Sequence, residues 1–306
     1  MKNATLIPAV KHLDLIYDVG MHRGEDAEFY LRKGFRCVAF EADPENISFC
    51  KKRLAPFIAN GQLQIIEGAI IDPGALIAGQ KTVKFYKHDT YSVLGTIFGD
   101  VAEQYQNPKA SSNVLEVAIV NFTDAISQHG IPHYMKIDIE GCDWVCLNVL
   151  RMFKERPNYL SVEVDRTSFA KNQSVIKVLI DLGYKHFFVV EQSEGVPSQV
   201  APFPAREGKY LDQRCEKDSS GLFGEDLTDS WKSPEETLRM CRSIQMAHKI
   251  ANLLVWNNGI MTKWRFKGAK RLLAWTSALI RFFAKAPVYA WYDIHAKYDN
   301  EPKFRQ

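Results

Sequence analysis

The chain has 306 residues, 46% hydrophobic and 25% charged, a balance that buries a core and excludes a disordered tail, a collagen or a disulfide-stapled mini-protein. That length makes one large domain or two modest ones. The net charge of +3 conceals an asymmetry: Thr237 to Tyr292 holds ten Lys or Arg and no acid, which leaves −7 on residues 1–236 and a basic quarter suited to an anionic partner.

In chain order, the first half alternates short β-branched runs with amphipathic stretches, the pattern of βαβ units around a parallel sheet. Leu15 to Val19 reads as a strand ending at Gly20, Glu25 to Lys33 as a helix stopped by Gly34, and Arg36 to Ala42 as a second strand. Pro44 starts a helix running to Arg53, and Leu63 to Ile71 is a third strand. Val83–Tyr86 and Val114–Val120 bracket an irregular insert with Gly95, Gly99 and Pro108. Thr123 is expected to cap a helix ending at Gly130. Then come a strand over Tyr134–Ile139, a helix over Asp143–Phe153, a strand over Leu160–Val164, a helix over Gln173–Leu182 and a strand over Tyr184–Glu191. Past Gly195 the text turns rich in Pro, Gly and Ser, and a helical region starts near Pro234. Within it Leu272, Trp275, Leu279 and Phe283 share one face and Lys270, Arg271, Arg281 and Lys285 the other. Two units are expected, 1–195 and a loop plus basic helical extension at 196–306. That extension either packs on the body or lies on an anionic membrane surface, with packing favoured.

The N-terminus has Pro8, Lys11, His12 and Asp14 where a secretory signal needs an apolar run, and the six cysteines follow no disulfide or zinc-ribbon spacing, so a reduced cytoplasmic protein is expected. Cys142 and Cys146, one helical turn apart, read as core thiols, and His129 and His133 as surface residues.

Three segments carry chemistry. Asp18-Val19-Gly20-Met21-His22-Arg23-Gly24 is a strand running through a glycine turn into a helix, where backbone can press against a ligand. The spacing is not the G-x-G-x-x-G of dinucleotide sites, and an acid before the first glycine suits a cationic ligand end rather than a pyrophosphate. The amino group and sulfonium of S-adenosylmethionine are such an end. Glu41 ends the second strand 21 residues after Gly20, the position from which an acid holds a ribose diol. Asp72, after the third strand, is placed either to meet an adenine amino group or to make an Asp-Pro-Gly turn. In Met135-Lys136-Ile137-Asp138-Ile139-Glu140-Gly141, alternation puts Lys136, Asp138 and Glu140 on one side of a strand, and Glu163 and Asp165 end the next. Charges so close are costly away from the carboxyl edge of the sheet, where open α/β sheets bind ligands, and the other reading is an ordinary salt-bridge cluster around Lys136.

Together these segments resemble the FkbM-type S-adenosylmethionine-dependent methyltransferases, over about residues 13–192. More weakly, Gly221-Leu222-Phe223-Gly224-Glu225-Asp226 and Trp291-Tyr292-Asp293-Ile294-His295 are similar to longer members. Two departures stand out: Asn121-Phe122-Thr123-Asp124 occupies the place of a usual Leu-Asp pair, and Met21-His22-Arg23 replaces small residues in the glycine turn. The resemblance implies a doubly wound, mostly parallel Rossmann-like class I methyltransferase sheet. It also implies methylation of a hydroxyl on a carbohydrate or secondary metabolite. Asp18, Gly20, Gly24, Glu41 and Asp72 are then the cofactor-binding candidates. An alcohol must give up its proton as the bond forms, so a general base is needed, with Asp138, Glu140, Glu163 and His88 as candidates in that order. A divalent metal gathered by Asp138, Glu140 and Glu163 is a minor alternative, and no metal ligand is assigned. The rivals are a non-catalytic cofactor-binding or interaction subunit and a nicotinamide-dependent oxidoreductase. No Asn-Pro-Pro-Tyr-like motif appears, so a small-molecule or glycan acceptor is expected and a nucleic acid is not. Peripheral membrane contact and a homo-oligomer stay open.

Overall fold

The computed structural model describes residues 6–72, 74, 76, 77, 79–88, 112–139, 141–193, 195–216, 219–255 and 290–299, with 88, 112, 113 and 250–255 described by backbone alone. The strands are β1 (Lys11–Val19), β2 (Arg36–Glu41), β3 (Leu63–Glu67), β4 (Ala69–Ile70), β5 (Thr82–His88), β6 (Ser112–Val120), β7 (Ile131–Ile137), β8 (Tyr159–Glu163), β9 (Tyr184–Glu191) and β10 (Tyr292–Tyr298). The helices are α1 (Glu25–Arg32), α2 (Pro44–Arg53), α3 (Ala55–Ala59), α4 (Phe122–His129), α5 (Asp143–Leu150), α6 (Phe169–Asp181), α7 (Gly195–Ser198) and α8 (Pro234–Val255).

Seven strands form one sheet in the order β3-β2-β1-β7-β8-β10-β9. All pairings are parallel except those of β10, which runs antiparallel between β8 and β9. The strand order reverses beside β1, so the crevice at the carboxyl ends of β1 and β7 is the place where such sheets bind ligands. The sheet is covered on both faces, as its apolar strands require. On one face Leu15, Tyr17 and Val19 of β1 and Met135 and Ile137 of β7 pack against α4, α5, α6 and α8. On the other, Ala39 and Cys37 meet α1 and the end of α2. Beside α1, on the β7 and β8 side, no helix of standard length covers that second face among the described residues. Residues 195–231 do so as a strap, with Phe223 stacked on Tyr134 at 4.6 Å and edge-on to Tyr30.

Side chains fasten the strap to the body. Lys33 at the end of α1 donates to Asp226 at 2.8 Å with both groups about 1% exposed. Glu207 bonds the His133 ring at 2.8 Å, and Asn158 bonds the ring's other nitrogen at 3.0 Å. Tyr159 and Lys297 both donate to Glu225 at 2.5 Å.

Several sequence expectations change here. Leu63 to Ile71 is not one strand: at Gly68 (φ 138°) the chain leaves the large sheet, and Ala69–Ile70 pairs with β6 in a three-stranded sheet ordered β4-β6-β5. The β7 strand stops at Ile137, leaving Asp138 just beyond its end. Asn121, not Thr123, caps α4, its side chain accepting from the N–H groups of Thr123 and Asp124. His133 is buried rather than on the surface, because the strap covers it. All six cysteines are free and buried, in keeping with core thiols. The last strand, β10, is part of the sheet itself, so residues past 195 complete the core rather than only extending it. The face pattern of Leu272 to Lys285 lies outside the described residues. Among the described residues no helix is long and apolar enough to cross a membrane.

Candidate active site

Strand register builds the site. Asp18 of β1 pairs with Lys136 of β7, Lys136 with Ser161 of β8, and Ser161 with His295 of β10. Paired residues share a face, so this row lies against α1 and the strap. One step nearer the carboxyl edge, Glu163 pairs with Asp293 of β10, and Asp138 leaves the end of β7. Alternation places these on the same face as the row below. The hydrophobic residues between them, Val19, Ile137, Val162 and Ile294, point into the opposite core.

Lys136 is the hub. Its ammonium donates to the Gly20 carbonyl at 3.1 Å and lies 3.5 Å from Asp18, 3.6 Å from Asp26 and 3.6 Å from Asp138. Burial pushes its pKa down, but the Asp18, Asp138 and Asp26 carboxylates outweigh that and hold it well above the usual lysine range. Asp18 is wholly buried and neither carboxylate oxygen has a hydrogen bond. Burial raises its pKa to about 7, with the Lys136 ammonium opposing and the Asp26 charge adding. Asp26, in the first turn of α1, accepts the Ser220 N–H on both oxygens at 3.0 and 3.1 Å. Burial also pushes Asp293 up to about 7, with Asp138 adding to the rise. Its Oδ2 accepts from Gln192 Nε2 at 2.8 Å and Ser220 Oγ at 3.0 Å.

The glycine turn is built for close approach. Gly20 has φ 90°, and a Cβ there would lie 1.8 Å from the Asp138 carbonyl oxygen. Gly24 has φ 79°, and a Cβ would meet Leu54 at 2.9 Å. His22 between them has φ 52°. This costs little because its N–H donates to Glu41 at 2.7 Å and its ring lies 3.6 Å from Glu25. Glu41 accepts three backbone N–H groups, from His22, Ala42 and Asp43. A carboxylate offers about four acceptor positions, so capacity is left for one more donor without disturbing the turn. Burial raises its pKa, partly offset by those N–H donors.

The structure therefore brings together Asp18, Gly20, Gly24 and Glu41 as the sequence suggests, and sets Asp138 and Glu163 along the same edge. Asp72 takes the other role that its sequence offers, its Oδ1 accepting the Gly74 N–H at 3.0 Å in a turn. Asp165 is a loop cap, bonded to Thr167 and Ser168. Glu140 and the His88 side chain lie outside the described residues. Among the described residues no group of three His, Cys, Asp or Glu could hold a metal ion. Sequence reading missed Asp26, Asp293, Ser220 and Gln192. A signal for Asp293 was available, since Tyr292, Ile294 and Ala296 alternate with Asp293 and His295 as a strand would.

A family model described as the methyltransferase FkbM domain matches residues 18–186, more than half of the chain. The chain belongs to the FkbM methyltransferase family. Members generally use S-adenosylmethionine. The matched segment opens on Asp18 and contains the polar site residues above except Ser220, Gln192, Asp293 and His295. Among solved structures, the chain is similar to precorrin-6y C5,15-methyltransferase from Geobacter metallireducens GS-15, at 12% identity and TM-score 0.33, covering 62% of this chain and 75% of that one. It is also similar to methyltransferase FkbM from Methylobacillus flagellatus KT, at 14% identity and TM-score 0.36, covering 60% of this chain and 41% of that one. A third is the StiE O-MT segment of residues 961–1257, at 9% identity and TM-score 0.36, covering 94% and 68%. No curated protein matches the sequence.

Proposed function

We propose that this FkbM-family chain is an S-adenosylmethionine-dependent methyltransferase acting on a hydroxyl of a carbohydrate or secondary metabolite. The observation that carries the cofactor reading is Asp18, a wholly buried carboxylate with no hydrogen bond, set beneath a glycine turn. Its cationic neighbour, the Lys136 ammonium at 3.5 Å, is shared with Asp26 and Asp138, so a ligand ammonium would add the charge-assisted hydrogen bond that Asp18 lacks. Glu41 would hold a ribose hydroxyl with its remaining acceptor capacity, and the Gly20 to Gly24 turn would lie against the ligand. The donor set fits this cofactor better than a dinucleotide, whose pyrophosphate would meet the Asp18 carboxylate.

When bound, the cofactor supplies an electrophilic methyl group on a sulfonium, which needs no activation by the protein. The chain's own task is to align an acceptor oxygen, exclude water and take a proton. Asp138 is our choice of base. It sits past the end of β7 with its side chain about 35% exposed, within reach of both solvent and Lys136. The Lys136 ammonium lies 3.6 Å from it and, by its bond to the Gly20 carbonyl, ties the base to the glycine turn. Glu163, one strand over on the same face, is the second choice.

Transfer from methyl-tritiated S-adenosylmethionine to a panel of hydroxylated acceptors, with amine analogues as controls, tests the reading. Asp138→Asn should cut transfer by roughly a hundredfold or more while leaving S-adenosylhomocysteine binding within a few-fold. Transfer confined to the amines, or unaffected by Asp138→Asn, would refute the hydroxyl reading or the base.

A further inference from the structure

The carboxylate cluster is not closed by the matched FkbM segment. Asp18, Asp26, Lys136 and Asp138 come from residues 18–186, but the groups that seal them come from further on. Ser220 in the strap gives its N–H to both oxygens of Asp26 and its hydroxyl to Asp293, joining α1 to β10. Asp293 itself is 3% exposed and sits in register with Glu163 on the face that carries Lys136. Its Oδ2 is held by Gln192 as well as Ser220, which fixes the carboxylate while leaving its charge without an ion-pair partner within 4 Å among the described residues. The facing groups are Lys136 and Asp138 from β7, Asp26 from α1, Asp18 from β1 and Glu163 from β8, with His295 two residues along on the same strand. Asp18, Asp26, Asp138 and Asp293 thus all act on the one buried lysine, and the local charge is negative when they are ionised.

We propose that Asp293, held by Ser220 and Gln192, is a positioning residue of the site. Its buried negative charge favours the cationic sulfonium of the methyl donor over the neutral thioether of the product. The proposal rests on the S-adenosylmethionine reading above. It gives β10 and the strap a role beyond packing, since they supply the charge that the matched segment lacks. A fixed buried charge acts over several ångströms because little water intervenes to screen it. It costs no reorganisation when the ligand arrives, the Ser220 and Gln192 donors being already in place.

The test is calorimetric titration of the full chain with S-adenosylmethionine and, separately, S-adenosylhomocysteine at pH 8.5, for wild type and Asp293→Asn. The two ligands share every group but the charged methyl, so the ratio of their dissociation constants reads the field at the sulfur. Asp293→Asn keeps the shape and both side-chain partners. It should weaken S-adenosylmethionine binding relative to S-adenosylhomocysteine by roughly fourfold or more, because the lost negative charge acts on the sulfonium and not on the thioether. Equal weakening of both ligands, or no change in the ratio, overturns the proposal and leaves Asp293 a structural residue. Should Asp293→Asn fail to fold, Ser220→Ala repeats the measurement at pH 7. Loss of the hydroxyl there leaves Asp293 more often protonated, and the ratio should move in the same direction by a smaller factor. An unchanged ratio in that variant also overturns the proposal. Wild type that binds neither ligand refutes the cofactor reading, and this inference with it.

Discussion

The buried pair Lys33–Asp226 gives the most demanding test of the strap. Lys33 ends α1, is about 1% exposed, and donates to Asp226 at 2.8 Å and to the Lys209 carbonyl at 3.2 Å. Asp226 also accepts the Arg206 and Glu207 N–H groups, so one carboxylate fastens three parts of the chain. Replacing Lys33 by Met keeps the stem against Phe29 but leaves Asp226 charged and buried with backbone donors alone. Removing one member of a buried pair costs about 3–5 kcal/mol. For a chain of this size, at roughly 2–4 °C per kcal/mol, the melting temperature should fall by roughly 6–20 °C. Urea unfolding followed by circular dichroism gives the free energy, with the midpoint falling and the slope unchanged. The loss should persist in 0.5 M NaCl, since salt does not reach the pair, unlike the exposed Arg151–Asp181 pair. A cost under about 1 kcal/mol, or one that salt erases, would mean the strap does not seal that face and the account of it is wrong.

Two further outcomes follow from buried ionisable groups. If Asp18 receives a ligand ammonium, it must be ionised to do so, and its pKa is raised to about 7 by burial. Affinity for S-adenosylhomocysteine should then be flat above about pH 8 and fall by up to about tenfold per unit below pH 7, a dependence that Asp18→Asn flattens. A wild-type affinity independent of pH from 5.5 to 8 would contradict this. His295 is depressed to about 3 by burial, so between pH 6.5 and 3 the unfolded chain holds a proton that the folded chain does not, and stability is lost as pH falls through that window. Asp18 and Asp293, raised to about 7, act the other way between about pH 7 and 4, gaining stability as pH falls. The comparison with His295→Phe isolates the histidine. The variant should lose about 2 kcal/mol less than wild type between pH 8 and 5, and equal losses would refute a buried neutral His295.

Local chemistry made much of the fold legible. Gly20, Gly34 and Pro44 punctuate β1, α1 and α2, and the carboxylates at 18 and 41 stand at strand ends, where a charge need not sit among the apolar residues of the core. What was not legible depends on distant chain. The third strand reads as continuous to Ile71, yet the close approach of β6 at Gly68 turns it into a second sheet. His133 reads as a surface residue because nothing near it in sequence announces the strap that buries it. Asp293 reads as part of a weak resemblance, and its place on the face that carries Lys136, two strands away, follows from β10 entering the sheet between β8 and β9, a pairing across more than a hundred residues. The site is thus half local and half topological. The glycine turn and Glu41 come from one βαβ unit, and Ser220 and Asp293, which complete the carboxylate cluster, come from the far end of the chain.

The central claim is a cofactor site at the carboxyl edge of β1 and β2, and one titration tests it most directly. S-adenosylhomocysteine is titrated by calorimetry into wild type and Glu41→Gln, with NAD as the control ligand. Gln keeps one oxygen for the His22 N–H but turns an amide NH2 toward the Ala42 and Asp43 N–H groups, so the melting temperature of the variant is measured alongside to show that the turn survives the loss of the charged acceptor. The account predicts micromolar binding of S-adenosylhomocysteine, weakened by about 1–3 kcal/mol in Glu41→Gln, and no comparable binding of NAD. Binding of NAD alone, or S-adenosylhomocysteine binding that Glu41→Gln leaves unchanged, would contradict it.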